Sequence, residues 1–165
     1  MNKTLRSILL GLALLLPIAV LGVLIGRAEL VVQTGTEWAV RIRGYDPRDL
    51  LRGQYLQYNI DWKMEGEDCT GGACCYCLWN SNPGQPSPPE PSVRIISCAD
   101  RQPCQSYFPV ERESTLRKYF IPEGEGARLE QEIRKHEAML LLRVSSRGKV
   151  VITDLLLDRK PWRKP

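Results

Sequence analysis

The chain has 165 residues and a formal net charge of +4, and 43% of it is hydrophobic, much of that in a leucine-rich first segment. Beyond that segment roughly 135 residues remain, enough for one folded unit with a modest core. So slight a basic excess excludes a nucleic-acid reading, and so small a core is expected to need cross-links.

Ile8 to Ile25 reads ILLGLALLLPIAVLGVLI, eighteen residues without a charge. That is about 27 Å of helix, close to the hydrocarbon thickness of a bilayer. The run predicts a stub over 1–7, a transmembrane anchor over 8–26, a folded domain over 28–158 and a basic tail over 159–165. Lys3 and Arg6 precede the apolar run, whereas Arg27 is followed by Glu29 and Glu37, so the stub is expected in the cytoplasm and the domain outside it. A cleaved signal peptide is the rival reading. The apolar run is long for a signal, and Leu24-Ile25-Gly26 and Gly26-Arg27-Ala28 are poor small-x-small sites, which favours an uncleaved anchor. Pro17 in mid-helix is expected to kink it without breaking it.

In the domain, Glu29–Gln33 and Trp38–Arg43 are short β-branched or aromatic runs on either side of Gly35, expected as two strands or one interrupted strand. Gly44 to Gly53 holds Asp46-Pro47 and then Arg48, Asp49 and Arg52, and is expected as a tight charged loop. Leu56, Tyr58, Ile60 and Trp62 alternate with Gln57, Asn59 and Asp61, which predicts a half-buried strand. Residues 63–72 are polar and glycine-rich. Cys74–Trp79 reads as a further strand, Pro83–Pro91 as a loop with five prolines, and Val93–Cys98 as extended chain. Thr115–Ile121 predicts a strand. Ala127, Leu129 and Ile133 among charged residues predict a short amphipathic helix, with Glu123 and Glu125 near its start to suit the dipole. Met139–Val144 and Lys149–Thr153 flank Ser145-Ser146-Arg147-Gly148, the strongest hairpin signal present. The tail concentrates Arg159, Lys160, Arg163 and Lys164 around Trp162 and is expected to fray in solvent, with contact to anionic headgroups or a partner as the alternative. The fold class is α+β, an N-terminal transmembrane helix carrying a small, mainly antiparallel β domain with one short helix.

All six cysteines, Cys69, Cys74, Cys75, Cys77, Cys98 and Cys104, fall in one insert over 69–104. On the non-cytoplasmic side they are expected as disulfides. Short loops suggest Cys69 with Cys74 and Cys98 with Cys104, leaving Cys75 and Cys77, which share one side of a strand, unassigned. A metal site is the sharper alternative, but C-x₄-C-C-x-C is not the paired spacing zinc takes, and His136 is the single histidine. No obvious resolving partner suggests redox work. No metal, cofactor or catalytic residue is assigned.

Two stretches together carry a resemblance. Asp46-Pro47-Arg48-Asp49-Leu50-Leu51-Arg52-Gly53-Gln54-Tyr55, followed by Tyr119-Phe120-Ile121-Pro122-Glu123-Gly124-Glu125-Gly126 with Leu129-Glu130, resembles the bacterial GDYXXLXY family of membrane-anchored proteins. The likeness extends over nearly everything from about residue 28 onward. Gln54 stands where the family's name motif has an acid, Tyr58 where it has leucine and Ile60 where it has the final tyrosine, while Gly53 and Tyr55 remain. The cysteine-rich insert is unlike the usual member. The resemblance implies an anchored topology in the inner membrane and partnership with a multi-pass membrane protein, and it carries no activity with it.

An interaction or structural subunit of a membrane complex is therefore the expected function, with no catalysis. Asp46, Arg48, Asp49 and Arg52 are expected to fix their loop through ion pairs, and Phe120 and Ile121 to dock the helix on the sheet. The alternatives are a cell-envelope ligand sensor stacking on Trp38, Tyr45, Tyr55 and Trp79, and a signal-peptidase-like enzyme suggested by Pro47-x-x-Leu50-x-x-Gly53. The latter lacks a serine at Gly44, Tyr45 or Asp46, where its nucleophile belongs.

Overall fold

The computed structural model describes residues 3–46, 55–69, 72–100 and 104–163. Helix α1 spans Lys3–Thr34 and passes through Pro17; its stretch Gly11–Thr34 is long and apolar enough to cross a membrane. The strand expected at Glu29–Gln33 is its last turns instead. Extending an existing helix fixes one residue per added hydrogen bond, so two valines do not stop it. Gln33 Nε2 donates to Glu29 Oε1 one turn back (2.9 Å) and Thr34 Oγ1 to Leu30 O (2.6 Å).

Gly35 ends the helix, its N–H bonded to Val31 O at 2.9 Å. It must be glycine because a Cβ there would sit 2.5 Å from Val31 O and 3.2 Å from Val144 N. Strand β1, Thr36–Asp46, follows at once. With β2 (Tyr55–Ile60), β7 (Lys118–Phe120), β8 (Ala138–Val144), β9 (Val150–Leu157) and β10 (Lys160–Pro161) it forms a six-stranded sheet in the order β10-β9-β8-β1-β2-β7. A four-stranded sheet, β3-β5-β4-β6, comprises β3 (Lys63–Glu67), β4 (Cys74–Trp79), β5 (Ser92–Ser97) and β6 (Ser106–Pro109). Only β3 with β5 runs parallel among these pairs. The fold is α+β as expected. Strand β3 was not legible: it is a charged edge, mostly exposed, with no apolar alternation to reveal it.

One core joins the two sheets. Trp38, Val40, Leu56, Tyr58, Leu140, Leu142 and Leu155 of the larger sheet pack with Tyr76, Leu78, Val93 and Phe108 of the smaller. Trp38 Nε1 donates to Ser106 Oγ across it, 3.1 Å. Helix α3, Gly126–Lys135, contributes buried Leu129. The strand expected over Thr115–Ile121 is only three residues long, since Thr115 and Leu116 belong to a single helical turn, α2, Glu113–Leu116.

The C-terminal tail, expected to fray, is docked over residues 159–163, and Lys164 and Pro165 lie outside the described residues. Asp158 (φ 48°) and Arg159 (φ 64°) turn the chain so that Lys160 pairs with Leu157 and Pro161 with Leu156. Two consecutive positive φ values are what a tight two-residue hairpin turn needs, but neither residue is glycine or asparagine, so the turn carries no sequence signal. Trp162 then packs against the core and donates Nε1 to Tyr119 OH at 3.1 Å, while Arg163 Nη2 donates to Phe120 O at 3.3 Å. The two edges of the larger sheet, β10 and β7, are bridged by these contacts.

Three disulfides lie in the smaller sheet: Cys69–Cys74, Cys75–Cys98 and Cys77–Cys104. The first matches the short-loop expectation. The expected Cys98–Cys104 bond does not form, because β4 is flanked by β5 on one side and β6 on the other. Cys98 follows the end of β5 and bonds Cys75, Cys74 opposite Ser97 being held by Cys69, while Cys104 precedes the start of β6 and bonds Cys77.

Candidate interaction surface

Strand β2 pairs antiparallel with β7 in the register Tyr55↔Phe120, Leu56↔Tyr119 and Gln57↔Lys118. The two motif segments, more than sixty positions apart in the chain, are therefore neighbours, and they meet at the edge of the larger sheet. The rings of Tyr55 and Phe120 lie edge to face with centroids 6.4 Å apart, and the Lys118 ammonium sits 4.8 Å over the Tyr55 ring. Phe120 is 74% exposed. The expectation that it docks the helix is corrected: alternation along β7 turns Tyr119 inward and Phe120 out, and Ile121 alone of the expected pair packs against the core. Pro122, Glu123 and Gly124 form the turn into α3, with Gly124 at φ 86° and Glu125 N bonded to Pro122 O, 3.2 Å. Glu125 stands at the helix N-cap without a side-chain cap bond and instead takes Arg128 Nε at 2.6 Å.

Asp46 pairs through its backbone with Gln57. Pro47, Arg48, Asp49, Arg52, Gly53 and Gln54 lie outside the described residues, so the expected ion-pair loop falls there too. The other two departures from the name motif fall on β2, whose inward face carries both. Tyr58 is 2% exposed, and Ile60 packs against the core. Both positions keep an apolar body, as that face requires. Burial pushes the Tyr58 phenol up, and its hydroxyl is buried without a hydrogen-bond partner among the described residues.

Of the aromatic residues suggested as a stacking platform, Trp38 is 1% exposed and unreachable. Trp79 is half-buried with the Arg94 guanidinium 6.0 Å above its ring. The Tyr45 side chain lies outside the described ones, and Tyr55 shares a surface with Phe120.

Two charged clusters escaped the sequence reading. Glu90, 6% exposed within the proline loop, gathers Arg41 (Nη2 to Oε1, 3.1 Å), Lys63 (Nζ to Oε2, 2.5 Å) and Arg159 (Nη2 to Oε1, 3.2 Å). Burial would raise its carboxyl, but Lys63 and Arg41 outweigh that and hold it below the ordinary value. Arg159 Nη1 also donates to Pro88 O at 3.2 Å, and Ala39 N to Pro89 O at 3.0 Å, so the proline loop is tied to β1 and to the C-terminal turn. A lone glutamate among prolines gives no hint of this role. The second cluster is His136, whose Nδ1 lies 2.6 Å from Asp158 Oδ2, with Glu132 3.5 Å from Nε2. The Glu137 amide and then His136 hold the Asp158 carboxyl below its ordinary range. Among the described residues the Asp158 and Glu132 carboxylates are the side chains that hold the His136 ring. All six cysteines are paired in disulfides.

A family model, the GDYXXLXY protein, matches residues 17–155, and the chain belongs to that family. No functionally curated protein and no solved structure matches it.

Proposed function

From that membership and the joined motifs we propose that this chain is a membrane-anchored interaction subunit without catalytic activity, offering the β2–β7 edge to a protein partner. In this reading α1 crosses the bacterial cytoplasmic membrane once, with its N-terminus inside and the domain outside. Lys3 and Arg6 ahead of the apolar run support that direction, as do disulfides, which persist in an oxidising compartment.

The observation that carries the proposal is exposed Phe120 edge to face with half-buried Tyr55 at a sheet edge, assembled from both family motifs. A large aromatic left in water on an edge strand is the pattern of a binding anchor. Strand β1 begins beside the anchor and ends at Asp46, which places this edge up to about 33 Å from the helix end along the strand. The partner, a multi-pass membrane protein or another subunit of its complex, would therefore meet the domain through an extracytoplasmic part, not within the lipid.

Purification of the full chain from native membranes in mild detergent, without reductant, tests this. Phe120→Ala is expected to weaken retention of a stoichiometric partner about thirty-fold, as loss of a hot spot of about 2 kcal/mol would, with disulfides and membrane association unchanged. A chain recovered alone, or a partner held equally by wild type and variant, would sink the proposal.

A further inference from the structure

The last two turns of α1 and the turn between β8 and β9 enclose a cavity of about 460 Å³. Arg27 and Leu30 stand on the helix side, and Ser146, Arg147 and Lys149 on the turn side. The three cations are exposed, and none has an acidic partner among the described residues. That sets them apart from Arg41, Arg43, Arg143 and Arg159, each of which is paired with a carboxylate. The nearest acid along the helix, Glu29, is engaged by Gln33.

Depth along α1 gives the cavity its address. The uncharged run ends at Ile25, and at 1.5 Å per residue Arg27 lies only about 3 Å beyond it and Leu30 about 7 Å beyond. The headgroup layer on each side of a bilayer is about 5–8 Å thick. Because Arg27 shares the cavity with Arg147 and Lys149, the tip of the β8–β9 hairpin is held at the same level as the lipid phosphates. Val31, 5% exposed, is buried on the domain side, whereas Leu30 at 60% faces outward.

We propose that Arg27, Arg147 and Lys149 form a binding site for the phosphate of an anionic phospholipid in the leaflet facing the domain. The proposal rests on the reading that α1 spans the bilayer. Anionic lipid supplies the missing counter-charge, and its acyl chains follow the apolar face of α1 below Leu30. Lys160 of the basic tail is not part of this site, since it pairs with Leu157 at the far end of β9 from the hairpin turn.

The test uses the full chain in vesicles of phosphatidylcholine alone and of phosphatidylcholine with about one quarter phosphatidylglycerol, acetylated with acetic anhydride and read by mass spectrometry. In the anionic vesicles Lys149 labelling is expected to fall about fivefold, whereas Lys160 should change less than about twofold. Arg27→Gln combined with Arg147→Gln should restore Lys149 labelling; Arg147→Gln alone, on the exposed turn, should restore part of it and does not touch the anchor. Inorganic phosphate added to phosphatidylcholine vesicles should leave Lys149 unprotected. Equal protection of Lys149 and Lys160 would reduce the effect to general surface potential, and protection by inorganic phosphate would make this a free-anion site; either overturns the proposal. Flotation is measured on the same samples. A chain that floats without Lys149 protection defeats the lipid site alone, whereas one that does not float defeats the anchor reading beneath it.

Discussion

Strand β8 lies between β1 and β9 in the larger sheet and buries five of its seven residues, all apolar. Strand β4 lies between β5 and β6 in the smaller sheet and buries four of six, and two of those four are half-cystines. Tyr76 and Leu78 of β4 face the common core. Cys75 and Cys77, on the alternate positions, are each covered through a bond to a neighbouring loop segment at Cys98 or Cys104. The larger sheet has apolar side chains for both faces, Val40 and Leu140 on one, Ala39 and Met139 on the other. The smaller sheet joins a buried apolar cluster from one face only, and on the other face covalent links stand beside half-buried Trp79 and Ile96. Cross-links appear where the strand lacks a second set of apolar partners.

The sharpest way to break this contrast is reduction. Closing loops with sequence separations of 23 and 27 residues corresponds to about 3 kcal/mol each. Reductant is therefore expected to raise amide exchange in β3–β6 on the order of a hundredfold, while β1, β8 and β9 change less than about tenfold. A uniform rise by hydrogen exchange would mean that the two sheets open as one unit.

Glu90 links the sheets through β1 and β3, so its removal probes their joint. Glu90→Gln should cost about 1–3 kcal/mol at pH 7, a figure kept small because Arg41 and Lys63 are half in water. The folded pKa lies below the ordinary 4.5, so the carboxylate's contribution is complete above that value and is lost as pH falls through the folded pKa. The deficit of the variant, followed by denaturant unfolding, should shrink below about pH 4.5. An equal deficit at acid and neutral pH would show that Glu90 acts by shape alone.

The smallest effect has the opposite sign. Tyr58 places a hydroxyl without a partner against an otherwise apolar face. Tyr58→Phe is expected to leave stability unchanged or raise it by up to about 1 kcal/mol. A loss larger than that on thermal unfolding would reveal a bound water or another acceptor at the hydroxyl.

Much of the frame was legible because it rests on periodicity. Alternation marked Leu56, Tyr58 and Ile60, and the run of branched residues around Ser145–Gly148 marked the hairpin. The joining of Tyr55 with Phe120 was not legible, since register between distant segments leaves no local trace. The cysteine pairs across β4 failed for the same reason: short loops are a guide only when no strand intervenes. Arg159 in a positive-φ turn and Glu90 among prolines are held by tertiary contacts alone.

Thr34 closes the helix and Thr36 opens the first strand, with Gly35 the single residue between them. Such a joint has no slack. A domain on a flexible linker samples many orientations, but this one is a head on a stiff shaft. One residue added within the helix would swing the head by about 100°. Rotation of the shaft reaches the head through Gly35 alone, and β1 leads from there toward the aromatic edge.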